Sequence, residues 1–180
     1  EGSVVTTAGK QTIYVPAEAM TPAGTNGCAS LTLVDSGNQN VEHNTLDFDA
    51  SSDEYAHFNV QFPKSWNEST VTFQAVWTST AADTDGVAIG LQAVAMADGD
   101  AMNTAYGTAI VVTDDAQSTA GDVYVTGESS AVTIAGSPST DEIVEFRVFR
   151  DVSDANDDMT EDMQLMGIRL FFTTDAPTDV

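Results

Sequence analysis

The 180 residues carry 28 acidic side chains against 5 basic ones, a net charge of -23, and 42% of them are hydrophobic. A chain of this length buries roughly 70% of its unfolded surface as one domain, so folding requires neither disulfide nor metal. The charge excludes nucleic acid as a partner, whose phosphates demand a basic patch, and it disfavours anionic membrane surfaces in the same way.

Residues 1–11 are small and polar and read as an N-terminal arm that orders only against a neighbour. A single domain is expected over 12–176, with 177–180 as a flexible tail. Thr12 to Val15 is a short β-prone run closed by Pro16, and Ala17 to Ser30 is a loop with one short helical turn at AEAM. Leu31 and Leu33 form a second short strand, Asp35 to Asn44 is rich in turns, and Leu46 with Phe48 starts another strand. Ala56, Phe58, Val60 and Phe62 then alternate with Tyr55, His57, Asn59 and Gln61, a period of two that sends the first set to the core. Pro63 ends that strand, and Val71, Phe73, Ala75 and Trp77 resume the alternation on a strand expected to pair back as a hairpin. Burial of the aromatics, each contributing roughly 2–3 kcal/mol, sets which face is core.

Val87 to Ala95 is a long strand in which Gly90 points to a bulge or a close approach. Asp100 to Tyr106, capped by Asp100 and stopped by Gly107, is the one helix the pattern predicts. Ile110–Thr113, Asp122–Thr126 and Ala131–Ala135 are short β-branched runs at the spacing of an antiparallel meander. Ile143 to Arg150 places Val144, Phe146 and Val148 on one face and Glu145 with Arg147 on the other. After the acidic loop Asp151 to Asp162, Met163 to Thr173 closes the domain with Met166, Ile168, Leu170 and Phe172 inward and Arg169 outward. The fold class is all-β: an antiparallel two-sheet β-sandwich of jelly-roll type with one short helix.

Chemistry-bearing patterns are sparse. Asp154, Asn156 and Asp158 stand at alternating positions, as in the first half of an EF-hand loop, and are the weak Ca²⁺ candidates. The loop lacks the glycine at the sixth position, and Leu165 stands where the bidentate Glu would be. His43 and His57 have no zinc spacing, no serine sits in a Gly-x-Ser-x-Gly elbow, and Cys28 reads as a small buried apolar residue. No catalytic residue and no cofactor is therefore assigned. No apolar run reaches the ~18 residues of a membrane span, so no membrane insertion is expected. The first residue is not Met, which points to trimming, processing or excision from a longer polypeptide.

The stretches TLDFDASSDEYAHFNVQFPKSWNESTVTF, VAIGLQAVAMADGDAMNTAYGTA, SSAVTIAGSPSTDEIVEFRVFRDV and MGIRLFFTTDA occur in this order between residues 12 and 176. Together they resemble an uncharacterised virion-associated β-sandwich domain of tailed bacteriophages and prophages, often of marine and alphaproteobacterial hosts. The resemblance implies a non-enzymatic structural protein on the surface of the phage particle, a fibre, spike or capsid-decoration subunit. Such a subunit would self-associate through sheet surfaces and contact other virion proteins, with Arg147, Arg150 and Arg169 as interface candidates. The alternative is a carbohydrate-binding module contacting host surface glycans, with Tyr55, Tyr106, Tyr124 and Trp66 as candidate sugar platforms.

Overall fold

Two sheets face each other across one core in the computed structural model, which describes residues 9–35 and 41–176. The strands are β1 (Gly9–Pro16), β2 (Thr21–Pro22), β3 (Thr32–Asp35), β4 (Glu42–Phe48), β5 (Tyr55–Val60), β6 (Thr72–Thr78) and β7 (Gly86–Met96), followed by β8 (Ile110–Asp115), β9 (Tyr124–Val125), β10 (Ile134–Ala135), β11 (Ile143–Arg150) and β12 (Met163–Thr174). The first sheet runs β3-β4-β12-β6-β9 with β1 also on β12, and the second runs β10-β7-β11-β5-β2 with β8 also on β7. All pairings are antiparallel except β10 with β7. The all-β sandwich expected from the alternation is thus the architecture observed.

The alternation also assigns the faces. Phe58, Phe62, Phe73 and Trp77 are all buried, and Phe58 stacks on Phe146 of the neighbouring strand with ring centroids 5.1 Å apart. The expected hairpin between β5 and β6 does not form, because the two strands belong to different sheets. β5 pairs with β11 and β2, whereas β6 pairs with β12 and β9. Pro63 ends β5, and the connection crosses to the other sheet, where Asn67 N–H donates to Thr173 O and Asp175 N–H to Ser65 O. Phe62 bridges the crossing, edge-on to Phe146 of one sheet and Phe172 of the other and stacked on Trp66 at 4.3 Å. A period of two specifies which way side chains point, not which strand lies alongside.

Three further expectations are corrected. The meander does not form: β8 and β10 both lie on β7, while β9 lies on β6 in the opposite sheet. Beside β6 the hydroxyls of Ser129 and Thr126 accept from the N–H groups of Phe73 and Ala75, taking the place of strand carbonyls. Asp100 to Tyr106 is irregular rather than helical: the Asp100 carboxylate accepts Ala97 N–H, and Thr104 turns back on Ala101 O. That run has no apolar stripe to bury, since Met102 is 93% exposed. The short helix lies instead at Ala17–Ala19, within the AEAM turn. Met166 falls at a register break in β12 and is buried outside the main cluster, while Leu165 and Ile168 belong to it. Gly90 marks a close approach rather than a bulge: the Phe149 ring lies where its Cβ would be, and the β7–β11 register runs unbroken.

Arg150 closes the end of the core opposite Phe62. It is 0% exposed, so it cannot serve as the interface residue expected from the sequence. Its Nε and Nη2 reach the Asp157 carboxylate at 2.8–3.2 Å, Nη2 donates to Met159 O at 2.6 Å, and Nη1 donates to Glu161 O at 2.8 Å. Phe48 O, at the end of β4, lies 3.4 Å from Nη1. Asp157 Oδ2 also accepts Ala88 N–H of β7 at 2.9 Å. One guanidinium therefore ties both sheets to the acidic 151–162 loop. Replacing Arg150 by Ala leaves a buried carboxylate without its cation and is expected to cost about 3–5 kcal/mol. The Arg150→Ala, Asp157→Ala double variant should recover part of that loss, and denaturant unfolding of the variants measures both values.

Candidate ligand-binding face

The outward side chains of the second sheet form three short rows. Tyr55 of β5, Phe149 of β11 and Gly90 of β7 make the first, His57, Arg147 and Gln92 the second, and Asn59, Glu145 and Val94 the third. Tyr55 and Phe149 pack at 5.5 Å between ring centroids, which gives the face an aromatic end. β2 borders it at one side, with Thr21 opposite His57. At the other side residues 97–109 cross the sheet as a strap, anchored where Gly107 N–H donates to Ala93 O at 3.0 Å. The strap delivers Tyr106, whose hydroxyl lies 2.9 Å from His57 Nδ1.

Arg147 is the centre of this face. Its guanidinium carbon lies 4.5 Å from the Tyr55 ring centroid and 4.9 Å from that of Tyr106, a two-sided cation–π clamp. Its Nε is withdrawn from water and has no hydrogen-bond acceptor. Among the described residues only Lys10–Glu128 and Arg150–Asp157 form ion pairs, so Arg147 is a clamped cation without a carboxylate partner. Next to it Val94, Met96, Met102, Thr104, Tyr106 and Glu145 enclose a cleft of about 200 Å³. Burial pushes the Glu145 carboxyl above the usual carboxylate range, with a hydrogen bond from Asn59 acting the other way. Burial, then the Arg147 charge, pushes the His57 imidazole down. Burial, then Glu145, pushes the Tyr106 phenol up, against a smaller opposing effect of Arg147.

The other sequence candidates are placed elsewhere. Tyr124 and Trp66 are buried, the Tyr124 hydroxyl donating to Thr119 O, and neither offers a platform. Arg169 is on the outer side of the first sheet, across from Tyr14 and Gln74. Asp154 Oδ1 accepts both the backbone N–H and the side-chain amide of Asn156, and Asp158 Oδ1 accepts Gly86 N–H at 2.8 Å. These candidates thus shape the loop, and among the described residues no group of three or more His, Cys, Asp or Glu is placed to hold a metal ion. Burial raises the Cys28 thiol to about 12, which keeps it protonated. The sequence names Tyr55, Tyr106, His57 and Arg147 separately. What brings them together is the β5–β11 register and the path of the strap.

No protein-family model matches the sequence, and neither does any curated protein sequence. Among solved structures the chain is similar to the CBM36-1 domain of a multidomain xylanase from the hindgut metagenome of Trinervitermes trinervoides, at 8% identity over 90% of this chain and 96% of that one with a TM-score of 0.44. It is similar to the xylohexaose-complexed CBM22-1–GH10 modules of Clostridium thermocellum xylanase 10B, at 15% identity over 94% of this chain and 28% of that one with a TM-score of 0.46. A further likeness is to CBM28, a carbohydrate-binding module specific for non-crystalline cellulose, at 13% identity over 88% of this chain and 85% of that one with a TM-score of 0.43. The expectation of a phage-particle subunit is corrected here: these three neighbours are, or contain, carbohydrate-binding modules, and none of them is a particle protein. Identities and TM-scores at this level transfer no ligand to this chain.

The raised carboxyl of Glu145 has a measurable sign. A carboxyl with a raised folded-state value contributes stability that is present below its unfolded value and lost as pH rises through the folded one. At pH 7 the charged Glu145 therefore opposes folding. Glu145→Gln is expected to raise the thermal unfolding midpoint at pH 7, with the gain shrinking towards pH 4, and a midpoint series across that range checks it.

Proposed function

We propose that this chain is a non-catalytic carbohydrate-binding module that takes a glycan across the outer face of its second sheet. The observation that carries this reading is the Arg147 guanidinium, clamped between two tyrosine rings and unpaired in a chain with 28 carboxyl side chains. A sugar matches that arrangement on both counts. Its C–H faces pack on aromatic rings, and its hydroxyls supply the acceptors that the guanidinium lacks. Asn59 and Glu145 add planar polar groups on the neighbouring row, so the face combines a few convergent polar side chains with an aromatic and aliphatic floor. The net charge of -23 disfavours a polyanion, which selects an uncharged polysaccharide over a uronate or sulfated one.

The clamp also holds the cation in place before ligand arrives, so little side-chain entropy is lost on binding. The reading requires that the face can be emptied of function without unfolding the domain. Arg147→Ala removes no ion pair, and Tyr55→Ala removes a half-exposed ring. Each is expected to weaken retention on soluble neutral polysaccharides by about tenfold or more, the scale of roughly 1–3 kcal/mol for a charge-assisted hydrogen bond or a stacked ring. Affinity electrophoresis against mixed-linkage β-glucan, arabinoxylan and hydroxyethyl cellulose, beside an Arg169→Ala control on the opposite sheet, tests it. Equal retention of the Arg147 and Arg169 variants would sink the assignment to this face.

A further inference from the structure

The strap that completes the face crosses it without joining a strand ladder. Residues 97–106 turn on themselves through Asp100 and Thr104, and Gly107 fixes the far end to β7. Between those points Tyr106 reaches the centre of the sheet, with its hydroxyl on His57 and its ring on Arg147, while Met102 and Thr104 border the cleft with Val94, Met96 and Glu145. His57 is thus both the hydrogen-bond partner of the strap and the residue directly opposite Arg147 in the β5–β11 ladder.

We propose that His57 is a proton-operated latch on this face: neutral, it accepts the Tyr106 hydroxyl and closes the clamp on Arg147, and protonated, it opposes Arg147 and lets the strap go. The glycan consequence, loss of binding in acid, rests on the function proposed above. In the neutral ring, with its proton on Nε2, Nδ1 is an acceptor that matches a phenolic donor. In the imidazolium both nitrogens donate, so the phenol must turn to accept, and two cations face each other across one cross-strand pair, a destabilising arrangement.

The groups around His57 reinforce this. Tyr55 and Asn59 flank it on β5, Thr21 faces it from β2, Tyr106 comes from the strap, and Arg147 and Glu145 come from β11. Of these only Arg147 and Glu145 carry charge at neutral pH. At pH 7 the pair and a neutral His57 sum to zero. As pH falls Glu145, whose carboxyl is raised from 4.5, loses its charge early, while His57, lowered from 6.5, gains one. The face then holds two cations and no counter-charge, and the clamp is driven apart by its own centre.

Nuclear magnetic resonance of the intact chain, following the His57 and Tyr106 ring signals from pH 8 to pH 4, tests the latch without ligand. The Tyr106 signals are expected to move with the His57 titration, at a midpoint below the ordinary imidazole value of about 6.5. Tyr106→Phe, which removes the donor to the neutral ring, should shift that midpoint upward. Tyr106 signals that stay flat while His57 titrates, or a midpoint indifferent to Tyr106→Phe, would overturn the latch. In parallel, retention on the three neutral polysaccharides should fall about tenfold per pH unit below the midpoint, as the competent fraction falls, and in His57→Gln, whatever its retention at pH 8, the ratio between pH 8 and acid should lose that steepness. Binding that persists unchanged through the His57 titration also overturns the proposal. Failure to bind any of the three at any pH counts against the glycan reading alone, and the ring titration then decides the latch.

Discussion

A guanidinium removed from water must find acceptors for its N–H groups inside the protein, and meeting that demand at Arg150 organises one whole end of this sandwich. Charge on Asp157 offsets the buried cation, and the carbonyls of Met159 and Glu161 receive the remaining donors, with Phe48 O at the long limit. An acidic loop of twelve residues would otherwise repel itself. Wrapped on Arg150 it becomes ordered, and through Asp157 it also covers the Ala88 N–H at the start of β7. The desolvation of both ions is costly, so the pair serves geometry more than net stability. It joins the end of β4, the start of β7 and the end of β11 through one loop.

Arg147 is three residues earlier on the same strand and meets the opposite fate. Strand parity sends Arg150 inward and Arg147 outward, so one cation is consumed by the fold and the other is left for a ligand. Two tyrosines from distant parts of the chain hold the second in place without neutralising it. Cation–π contacts of about 0.5–2 kcal/mol position a charge while leaving its hydrogen-bonding edge available, which an ion pair would not. Lys10, by contrast, is spent on Glu128, which also takes the Thr72 hydroxyl, so one carboxylate links β1 and β6 across the intervening β12.

The strap shows how a segment with no secondary structure can complete a site. Its anchor is a glycine packed against the Thr133 carbonyl, where any larger residue would collide. Asp100 and Thr104 close turns within it, and it belongs to no strand ladder between Met96 and Ile110. The contacts that would change on opening are those of Tyr106 with His57 and Arg147.

Much of this was legible from residue order. The alternation in 55–62, 71–77 and 143–148 determined the core set and the outward set, because side-chain direction along a strand is a local property with a period of two. That is why Phe58, Phe73 and Trp77 were placed inside, and Tyr55, His57, Asn59, Glu145 and Arg147 outside, from the sequence by itself. Strand partners are a different kind of fact. β5 and β6 look like a hairpin, yet crossing at Pro63 lets Phe62 and Trp66 fill the end between the sheets, and no local pattern encodes that gain. Likewise 100–106 has helix-forming residues but nothing apolar to bury, so Tyr106 is spent on the sheet instead. The sequence determined an acidic, all-β chain and which residues face water. Only the tertiary structure decided which outward residues meet, because register and loop path follow from burial summed over the whole chain, and so only it could assemble Tyr55, His57, Tyr106 and Arg147 into one face.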